Sequence, residues 1–297
     1  MKIAVIINPI SGTGRRPDEA RRRAELAASL LDARGLDAEI CVTERAKHAH
    51  DLAKTAVARG VSMCIAWGGD GTINEVASAL AFSPVALAVV PSGSGNGLAR
   101  ELAIPLQPAG AFDVALNGRE QVIDAGEIEG RLFFNIAGLG FDGRVAHEFA
   151  AQGHDRRGFA RYITIALREL VRFVPDNYTI TANGKSIETR ALFIAIANSR
   201  QYGNGATIAP GARIDDGQLD VVIVGERSPW SAMAQLPLLF AGKVDRLPGV
   251  TIVPTAQVEI RSTHQMVYHV DGEPALAGTA VHARVHAAAL RVRVPAR

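Results

Sequence analysis

The sequence is poor in cysteine, in aromatic residues and in long uninterrupted apolar runs. Cys41 and Cys64 are its two cysteines, and both stand in apolar strand-like runs, which favours buried thiols over a disulfide or a metal pair. The longest uncharged run, 76–99, is broken by prolines and by glycine and serine turns, so it does not predict a membrane-spanning helix. The first residues lack the pattern of a cleaved signal peptide, and the sequence therefore predicts a cytoplasmic protein.

An excess of charge of one sign is also missing. The formal net charge of the 297 residues is +2, and no basic stripe interleaved with aromatic residues is present, so nucleic acid is not a predicted partner. The chain is 48% hydrophobic and 21% charged, which is typical of a globular protein, and it is long enough for two domains.

What the chain has instead is glycine-rich turns, each placed directly after an apolar, strand-like run. Glycine lets the backbone approach a phosphate closely, and the amides of a helix start favour anions. Two of the turns lead into helix-forming segments, and one of these two contains an acidic residue, Asp70. The two turns and the acidic residue together predict a site for a polyphosphate held with a metal. The turns are Asn8-Pro9-Ile10-Ser11-Gly12-Thr13-Gly14, Gly68-Gly69-Asp70-Gly71-Thr72-Ile73-Asn74 and Pro91-Ser92-Gly93-Ser94-Gly95-Asn96-Gly97.

The first 124 residues alternate between predicted strands and helices. Buried strands are expected at 3–7, 38–42, 62–67 and 85–90. A first helix is expected from Pro17 to about Arg34, and a second helix is expected to end at Gly60, with Thr43 as its N-cap. Such alternation predicts a parallel sheet covered by helices on both faces, and all three glycine turns then lie at the carboxyl ends of its strands.

After about Asp124 the pattern changes to short β-rich runs separated by turn residues, which predicts an antiparallel sandwich or barrel. Two helical insertions are expected, at 158–173 and 230–242. We therefore expect one domain over 1–124 and another over 125–297. The expected strands are 132–136, 178–182, 191–197, 219–224, 251–260, 266–270 and 281–285.

Five motifs, in order over nearly the whole chain, resemble the lipid kinase family of bacterial diacylglycerol kinases, sphingosine kinases and ceramide kinases. The resemblance implies an NAD kinase-like α/β domain with a parallel sheet, followed by an antiparallel β-sandwich domain. It also implies an ATP-dependent kinase whose interdomain cleft holds ATP, Mg²⁺ and the hydroxyl of a lipid. The motifs are Asn8-Pro9-x-Ser11-Gly12, Gly68-Gly69-Asp70-Gly71-Thr72, Pro91-x-Gly93-Ser94-x-Asn96, Asp215-Asp216-Gly217-x-Leu219-Asp220 and Val270-Asp271-Gly272-Glu273.

The same resemblance implies a set of site residues. Asp70 is expected to organise the catalytic Mg²⁺, directly or through water. Glu273 is the implied general base and Asp271 its assistant, and in an extended segment both side chains point to one side. The implied nucleotide contacts are Asn8, Pro9, Ile10, Ser11, Gly12, Thr43, Gly68, Gly69, Asp70, Gly71, Thr72, Ile73, Asn74, Ser94 and Asn96.

A second, structural Mg²⁺ is implied at one C-terminal loop. Its ligands are the backbone carbonyls of Arg213 and Gln218 and the carboxylate of Asp216, and hard oxygen ligands suit this ion. A plain polar turn remains the alternative for this loop, as it does for Asp271 to Glu273. The chain departs from many diacylglycerol kinases at Gly97. They have an acidic residue at this position, whereas sphingosine kinases have a small one. Any metal-linked role of that acidic residue is therefore absent from this chain.

The implied partners are a membrane lipid substrate and the surface of the inner membrane, with the protein bound peripherally. The segment 230–242 is apolar, and the cations Lys243 and Arg246 follow it. Two roles are expected for it, contact with the membrane or the lipid, or a core helix, and the sequence favours neither. Oligomeric state stays open, with a homodimer as one option. The arginines at 156, 157, 161, 168 and 172 are interpreted as a solvated helix face.

Two other functions compete with the lipid kinase. An NAD kinase shares the Gly68-Gly69-Asp70-Gly71 loop and the two-domain plan, but it has no need of the apolar segment 230–242 or of the Pro91-x-Gly93-Ser94-x-Asn96 motif. A regulatory protein that binds nucleotide or lipid without catalysis is disfavoured because Asp70, Asp271 and Glu273 are all present.

Overall fold

The computed structural model describes residues 2–12, 18–151 and 159–296, without the side chains of residues 159 and 160. The chain divides into two compact units, unit 1 (1–123 with 288–297) and unit 2 (124–287). The last residues therefore belong to the same unit as the first. Of the positions discussed above, Thr13, Gly14, Pro17, Arg156, Arg157 and Gly158 lie outside the described residues.

Unit 1 is an α/β structure with a parallel sheet, as the sequence predicts. The strands pair in the order β2-β1-β3-β4. On the other side of β4, Val292 pairs in parallel with Leu87. Every residue of β1, β3 and β4 is buried, which fits a sheet covered on both faces. The elements are β1 (Ile3–Ile7), α1 (Glu19–Asp32), β2 (Ala38–Val42), α2 (His48–Ala58), β3 (Met63–Gly68), α3 (Asp70–Leu80), β4 (Ala86–Pro91), α4 (Gly97–Glu101) and α5 (Pro108–Asn117).

One predicted helix boundary in unit 1 is wrong. Thr43 does not cap α2, which begins at His48 after Lys47 in the left-handed region. The Thr43 amide instead donates to the Ile7 carbonyl at 2.8 Å, so this residue continues the pairing of β2 with β1. The turn that follows is closed by the Glu44 amide, which donates to His48 Nδ1 at 3.1 Å.

Unit 2 is an antiparallel β-sandwich, again as predicted. Its strand β9 pairs antiparallel with β7, β8 and β12, and β14 pairs antiparallel with β8 and β17. The first and last strands of the following list, β5 and β17, each include residues of unit 1 as well. The elements are β5 (Arg119–Ile128), β6 (Arg131–Phe133), β7 (Ile136–Gly140), α6 (Phe141–Ala151), α7 (Phe159–Leu170), β8 (Asp176–Ala182), β9 (Lys185–Ala197), β10 (Gln201–Gly203), β11 (Ala206–Thr207), β12 (Leu219–Gly225), α8 (Pro229–Phe240), a short 3₁₀ helix (Val244–Arg246), β13 (Val250–Thr255), β14 (Gln257–Ser262), β15 (Val267–Val270), β16 (Glu273–Leu276) and β17 (Ala280–Val294).

The core of unit 2 lies on both sides of β9 and β12. Ile194 and Ile196 belong to one apolar cluster and Ala195 and Ala197 to another, because successive side chains of a strand face opposite ways. None of the helices in the described ranges is long and apolar enough to cross a bilayer.

Three details of unit 2 differ from the sequence prediction. The expected strand 251–260 is two strands, because Thr255 Oγ1 bonds both the carbonyl and the amide of Gln257 and bends the chain there. The expected strand 132–136 is likewise divided between β6 and β7. The helix α6 was not predicted, and it follows β7 directly, after a last strand residue with positive φ, Gly140 at 75°.

Candidate active site

The glycine turns of unit 1 meet at the carboxyl edge of its sheet. The parallel register places Ile7 beside Trp67 and Gly68 beside Pro91, so the segments that follow are neighbours. We refer to 8–12, 68–74 and 91–97 as the edge loops. Backbone hydrogen bonds already join them, from the Asn8 amide to the Trp67 carbonyl at 2.9 Å and from the Ser92 amide to the Gly68 carbonyl at 2.8 Å.

Side chains tie the edge loops together further. Asn8 Nδ2 donates to Thr72 Oγ1 at 2.8 Å, and the hydroxyls of Ser11 and Ser92 are 2.6 Å apart. A Cβ on Gly93 would lie 2.8 Å from the Cα of Gly69, so the second and third edge loops touch through backbone and leave no room for a side chain at that point. The three loops therefore form one bonded structure.

Asp70 is the first residue of α3, and its carboxylate lies against the third edge loop. Its two oxygens accept from the Asn96 amide at 2.9 Å and from the Gly97 amide at 2.7 Å. The sequence predicted that both helix starts after the glycine turns offer amides to an anion. At α4, Asp70 already occupies the first helix amide, that of Gly97, together with the amide of the residue before the helix, Asn96.

Asn96 has its side chain committed to its own loop. Its Oδ1 accepts from the Gly93 amide at 2.8 Å and its Nδ2 donates to the Gly93 carbonyl at 2.9 Å. Asn96 is buried and has φ of 52°, a conformation that asparagine tolerates better than most residues. This side chain therefore shapes the loop and is not directed outward.

The start of α3 is the part of the edge loops best suited to an anion. The first intrahelical bond of α3 runs from the Ile73 amide to the Gly69 carbonyl, so the helix offers no carbonyl to the amides of Gly71 and Thr72. A helix of 11 residues adds a favourable dipole at that end. Ile73 itself is buried, so its side chain serves the core and only its backbone faces the loops.

The other predicted nucleotide residues lie at the same edge. Thr43 follows β2 beside the end of β1, Ile10 is 46% exposed, and Ser94 is exposed in the third edge loop. Asn74 lies one turn into α3, where its Oδ1 accepts from the Ser78 hydroxyl at 3.3 Å.

Arg23 is a site residue that the sequence analysis missed. It is buried on α1, and its guanidinium donates to the Asn8 carbonyl at 2.7 Å, the Ser11 carbonyl at 2.9 Å and the Ser11 hydroxyl at 2.8 Å. It also reaches the Ser92 hydroxyl at 3.2 Å and pairs with Glu19 at 2.8 Å. A buried positive charge thus stands directly behind two of the edge loops.

We expect Arg23→Lys to lower the free energy of unfolding by about 2–4 kcal/mol, because a lysine cannot replace the forked set of bonds and leaves buried acceptors unpaired. Urea denaturation measures the change. Arg21→Lys is the matched control, since Arg21 lies on the same helix and pairs with Glu25 in an exposed position. Equal stability of the two variants would show that Arg23 does not hold the loops.

In unit 2 the residues Asp271, Gly272 and Glu273, which we call the DGE turn, connect β15 to β16. Asp271 and Gly272 have φ of 45° and 89°, so the segment is a turn. The expectation of an extended segment with both carboxylates on one side is therefore wrong. The Asp271 carboxylate accepts from three successive amides, those of Phe134 at 2.9 Å and of Asn135 and Ile136 at 3.0 Å each.

Glu273 differs from Asp271 in its surroundings. It is the first residue of β16 and is exposed. Among the residues that the structure describes, its carboxylate has no hydrogen-bond or ion-pair partner. The DGE turn therefore contains one carboxylate that fixes the backbone and one that is open to a ligand.

The loop predicted to hold a structural metal is closed by another carboxylate. Asp124 accepts from the Gly217 amide at 2.7 Å, and Asp216 accepts from the Gln218 amide at 3.1 Å. Burial and then the charge of Asp216 raise the pKa of Asp220. Arg213, the other predicted ligand residue, is exposed and has its guanidinium 3.5 Å from Asp215.

At this loop a hard cation would need backbone carbonyls in addition to a carboxylate. Over 2–12, 18–151 and 159–296, no three His, Cys, Asp or Glu side chains are grouped so that they could hold a metal ion. The predicted set needs one carboxylate, that of Asp216, and takes its other ligands from the main chain, so it is compatible with this finding.

Comparison with known proteins agrees with this architecture. Residues 2–128 match the model of the diacylglycerol kinase catalytic domain, and residues 135–294 match that of the YegS C-terminal NAD kinase beta sandwich-like domain. A Pseudomonas fluorescens protein named "Probable lipid kinase YegS-like" is 33% identical over 91% of this chain and 89% of its own length. The chain belongs to the YegS-like family of lipid kinases.

Other known proteins share sequence or fold with this chain. A Mycobacterium tuberculosis diacylglycerol kinase is 31% identical over 92% of the chain and 88% of its own length. The crystal structure of a Bacillus anthracis diacylglycerol kinase superposes with a TM-score of 0.74 at 18% identity, covering 99% of this chain and 97% of that one. An Archaeoglobus fulgidus NAD kinase in complex with ATP shares the fold at a TM-score of 0.51 and 12% identity, covering 100% and 94%.

The apolar segment predicted from the sequence forms the helix α8, and it is not a core helix. None of its residues is buried, and Trp230 and Phe240 are 78% and 47% exposed. Met233 and Leu239 pack partly against one apolar cluster of unit 2. The helix thus rests on the sandwich with one face and presents large apolar side chains with the other.

Proposed function

We propose that this protein is an ATP- and Mg²⁺-dependent lipid kinase that phosphorylates the hydroxyl of a diacylglycerol-, sphingoid- or ceramide-like lipid. The observation that carries the proposal is the joining of three glycine-bearing loops at the carboxyl edge of a parallel sheet, in a chain of this family. Ligands of open parallel sheets bind at that edge.

The nucleotide is assigned to the edge loops. Main-chain amides around Gly12 and at the start of α3 face the phosphates, and Arg23 adds a buried positive charge behind them. Asn96 contributes by holding its loop in shape through Gly93, and Asp70 contributes by joining that loop to α3.

Mg²⁺ is assigned to Asp70 together with the phosphate oxygens. Each Asp70 oxygen accepts one backbone amide, and a carboxylate oxygen has capacity for more than one partner. This ion is commonly held by one or two carboxylates plus substrate phosphates and water, so a single aspartate fits it. When bound, it would neutralise charge on the phosphates during transfer. The Asp216 loop is assigned a second, structural Mg²⁺.

Glu273 is assigned as the general base. Its carboxylate takes the proton from the lipid hydroxyl while the hydroxyl oxygen forms a bond to the γ-phosphorus of ATP. The bond from that phosphorus to the bridging oxygen breaks, and ADP leaves with its electron pair. Asp271 assists by fixing the backbone from which Glu273 projects, since its own carboxylate is bound to three amides.

The test is incubation with γ-labelled ATP and Mg²⁺ in the presence of diacylglycerol, sphingosine, ceramide, a total lipid extract or NAD, followed by separation of the products. We expect label in one lipid class and none in NAD. Label in NAD alone would establish the competing NAD kinase, and ATP binding without transfer to any acceptor would establish a regulatory protein.

The substrate is assigned to a membrane, which places the protein at the inner membrane surface as a peripheral, cytoplasmic enzyme. The exposed apolar side chains of α8 and the cations Lys243 and Arg246 after it support this assignment, because aromatic residues and flanking cations favour an interface.

We expect Trp230→Ser to lower the affinity for anionic vesicles about tenfold, because an exposed tryptophan loses its apolar contact with the bilayer. Vesicle co-sedimentation measures the change. The control is Val171→Ser, a substitution at another exposed apolar residue of unit 2, which is 71% exposed and outside α8. If Trp230→Ser and the unsubstituted protein bind vesicles with equal affinity, α8 does not contact the membrane.

A further inference from the structure

Unit 2 contains a buried aspartate–histidine pair next to the DGE turn. Asp142, at the start of α6, and His269, on β15, are 3% and 6% exposed. Asp142 Oδ2 and His269 Nε2 are 2.6 Å apart. Neither residue belongs to a motif singled out in the sequence, and neither has a part in the proposed reaction as described above.

The neighbouring backbone makes space for this pair. Gly138 lies directly opposite His269 in the pairing of β7 with β15. A Cβ on Gly138 would collide with both the Asp142 carboxylate and the His269 ring. A Cβ on Gly143 would collide with the Val267 carbonyl, so the start of α6 is pressed against β15. The two glycines therefore allow a close approach that no other residue would permit.

The hydrogen bonds assign the proton on the His269 ring. The Gly272 amide donates to His269 Nδ1 at 3.2 Å, so Nδ1 is the acceptor and carries no proton. The proton is then on Nε2, which donates to the Asp142 carboxylate. One continuous chain of bonds thus runs from the buried carboxylate through the imidazole to the backbone of the DGE turn.

We propose that Asp142 and His269 are positioning residues for Glu273, which they act on through the amide of Gly272. The inference rests on the proposed function, in which Glu273 is the general base. The turn has two positive-φ residues in succession and exposes Glu273, so its direction depends on the bonds that fix its backbone. Asp271 fixes one side of the turn and His269 fixes the other.

The same geometry predicts how the turn responds to protonation of His269. If Nδ1 were protonated, two donors would face each other, because the Gly272 amide is also a donor. The hydrogen bond between Gly272 and His269 would then be lost. Burial opposes this protonation, but the charge and hydrogen bond of Asp142 and the charge of Asp271 raise the pKa of His269 above its ordinary value. The charged and titratable groups around the ring are Asp142, Asp271, Arg131 and, through Asp142, Tyr162 and Tyr202.

The activity test uses Asp142→Asn and His269→Asn in the full chain. We expect kcat to fall by about tenfold to a hundredfold with KM for ATP unchanged, because a displaced base slows transfer without affecting the edge loops. The control is His264→Asn, which removes an exposed histidine of unit 2 paired with Asp176 and leaves the DGE turn intact. An unchanged kcat in both folded variants would overturn the inference.

A second readout needs no activity and separates positioning from simple loss of stability. With ¹⁵N-glycine and ¹³C-carbonyl aspartate labelling, the Asp271–Gly272 amide is one of four Asp–Gly signals and can be followed against pH. We expect it to titrate with the His269 ring signals in the unsubstituted protein. In Asp142→Asn both midpoints should move together to lower pH, because an anionic neighbour that favours the imidazolium has been removed.

The two readouts distinguish the possible failures. A Gly272 amide that does not follow His269 overturns the positioning role whatever the kinetics show, and this holds even if His269→Asn fails to fold. No transfer to any lipid by the unsubstituted protein refutes the proposed function and the catalytic part of this inference, while the amide titration still decides whether His269 fixes the turn.

Discussion

Replacing Glu273 by glutamine is expected to lower the rate of phosphate transfer by about 10²–10⁴-fold. Glutamine keeps the size of the side chain but cannot take a proton from an alcohol. Glu273 is exposed and lies outside the edge loops, so the substitution leaves the assigned nucleotide contacts in place. ATP affinity, measured by calorimetry, should therefore change little, and single-turnover transfer should collapse.

Glu226→Gln is the control for this substitution. Glu226 is an exposed glutamate of unit 2 that pairs with Arg190 at 3.4 Å, and its loss removes the same charge elsewhere. We expect its transfer rate to match that of the unsubstituted protein. If Glu273→Gln transfers phosphate as fast as Glu226→Gln, Glu273 is not the base.

Asp271→Asn is expected to lower the free energy of unfolding by about 2–4 kcal/mol, because the carboxylate accepts three backbone amides in the native state. An asparagine offers one oxygen and turns an NH₂ group toward amides that are themselves donors. Transfer activity should fall as well, since the same carboxylate fixes the turn before Glu273. Urea denaturation and the lipid assay measure the two effects.

The matched variant here is Asp245→Asn, at an exposed aspartate of the short 3₁₀ helix in unit 2. We expect it to change stability by less than about 0.5 kcal/mol, as surface substitutions usually do. Stability losses of the same size in Asp271→Asn and Asp245→Asn would contradict the anchoring role of Asp271.

The parallel sheet and the meeting of the glycine turns could be predicted because they follow from local patterns. Apolar runs such as Ile3–Ile7 followed by glycine-rich turns predict strands with their carboxyl ends at one edge, and pairing in parallel then brings the turns together. The short β-rich runs after Asp124 predicted an antiparallel sandwich or barrel, and the family resemblance favoured the sandwich. Those predictions needed no knowledge of which side chains touch.

What the sequence did not reveal depends on contacts between distant residues. Asp70 stands in a glycine turn, and nothing local indicates that it binds the amides at Asn96 and Gly97, 26 and 27 positions away. Asp271 likewise binds amides about 135 positions earlier. Two aspartates that were expected to face ligands are therefore engaged with backbone.

Arg23 left a signal that was overlooked. It shares the buried face of α1 with Ala27 and Leu31 at a spacing of four, and an arginine within such an apolar stripe indicates a buried partner. The pair of Asp142 and His269 left a weaker signal in the sequence, namely Gly138 and Gly143 near Asp142. That signal is weak because both glycines are equally compatible with ordinary turns. Only the structure shows that they make room for a side chain.

The most direct test of the central claim is a crystal structure with a non-hydrolysable ATP analogue and Mg²⁺. The account predicts the triphosphate against the edge loops, with a phosphate at the amides of Gly71 and Thr72 and the metal ion within reach of Asp70. A triphosphate bound away from these loops, or a metal ion that does not approach Asp70, would contradict it.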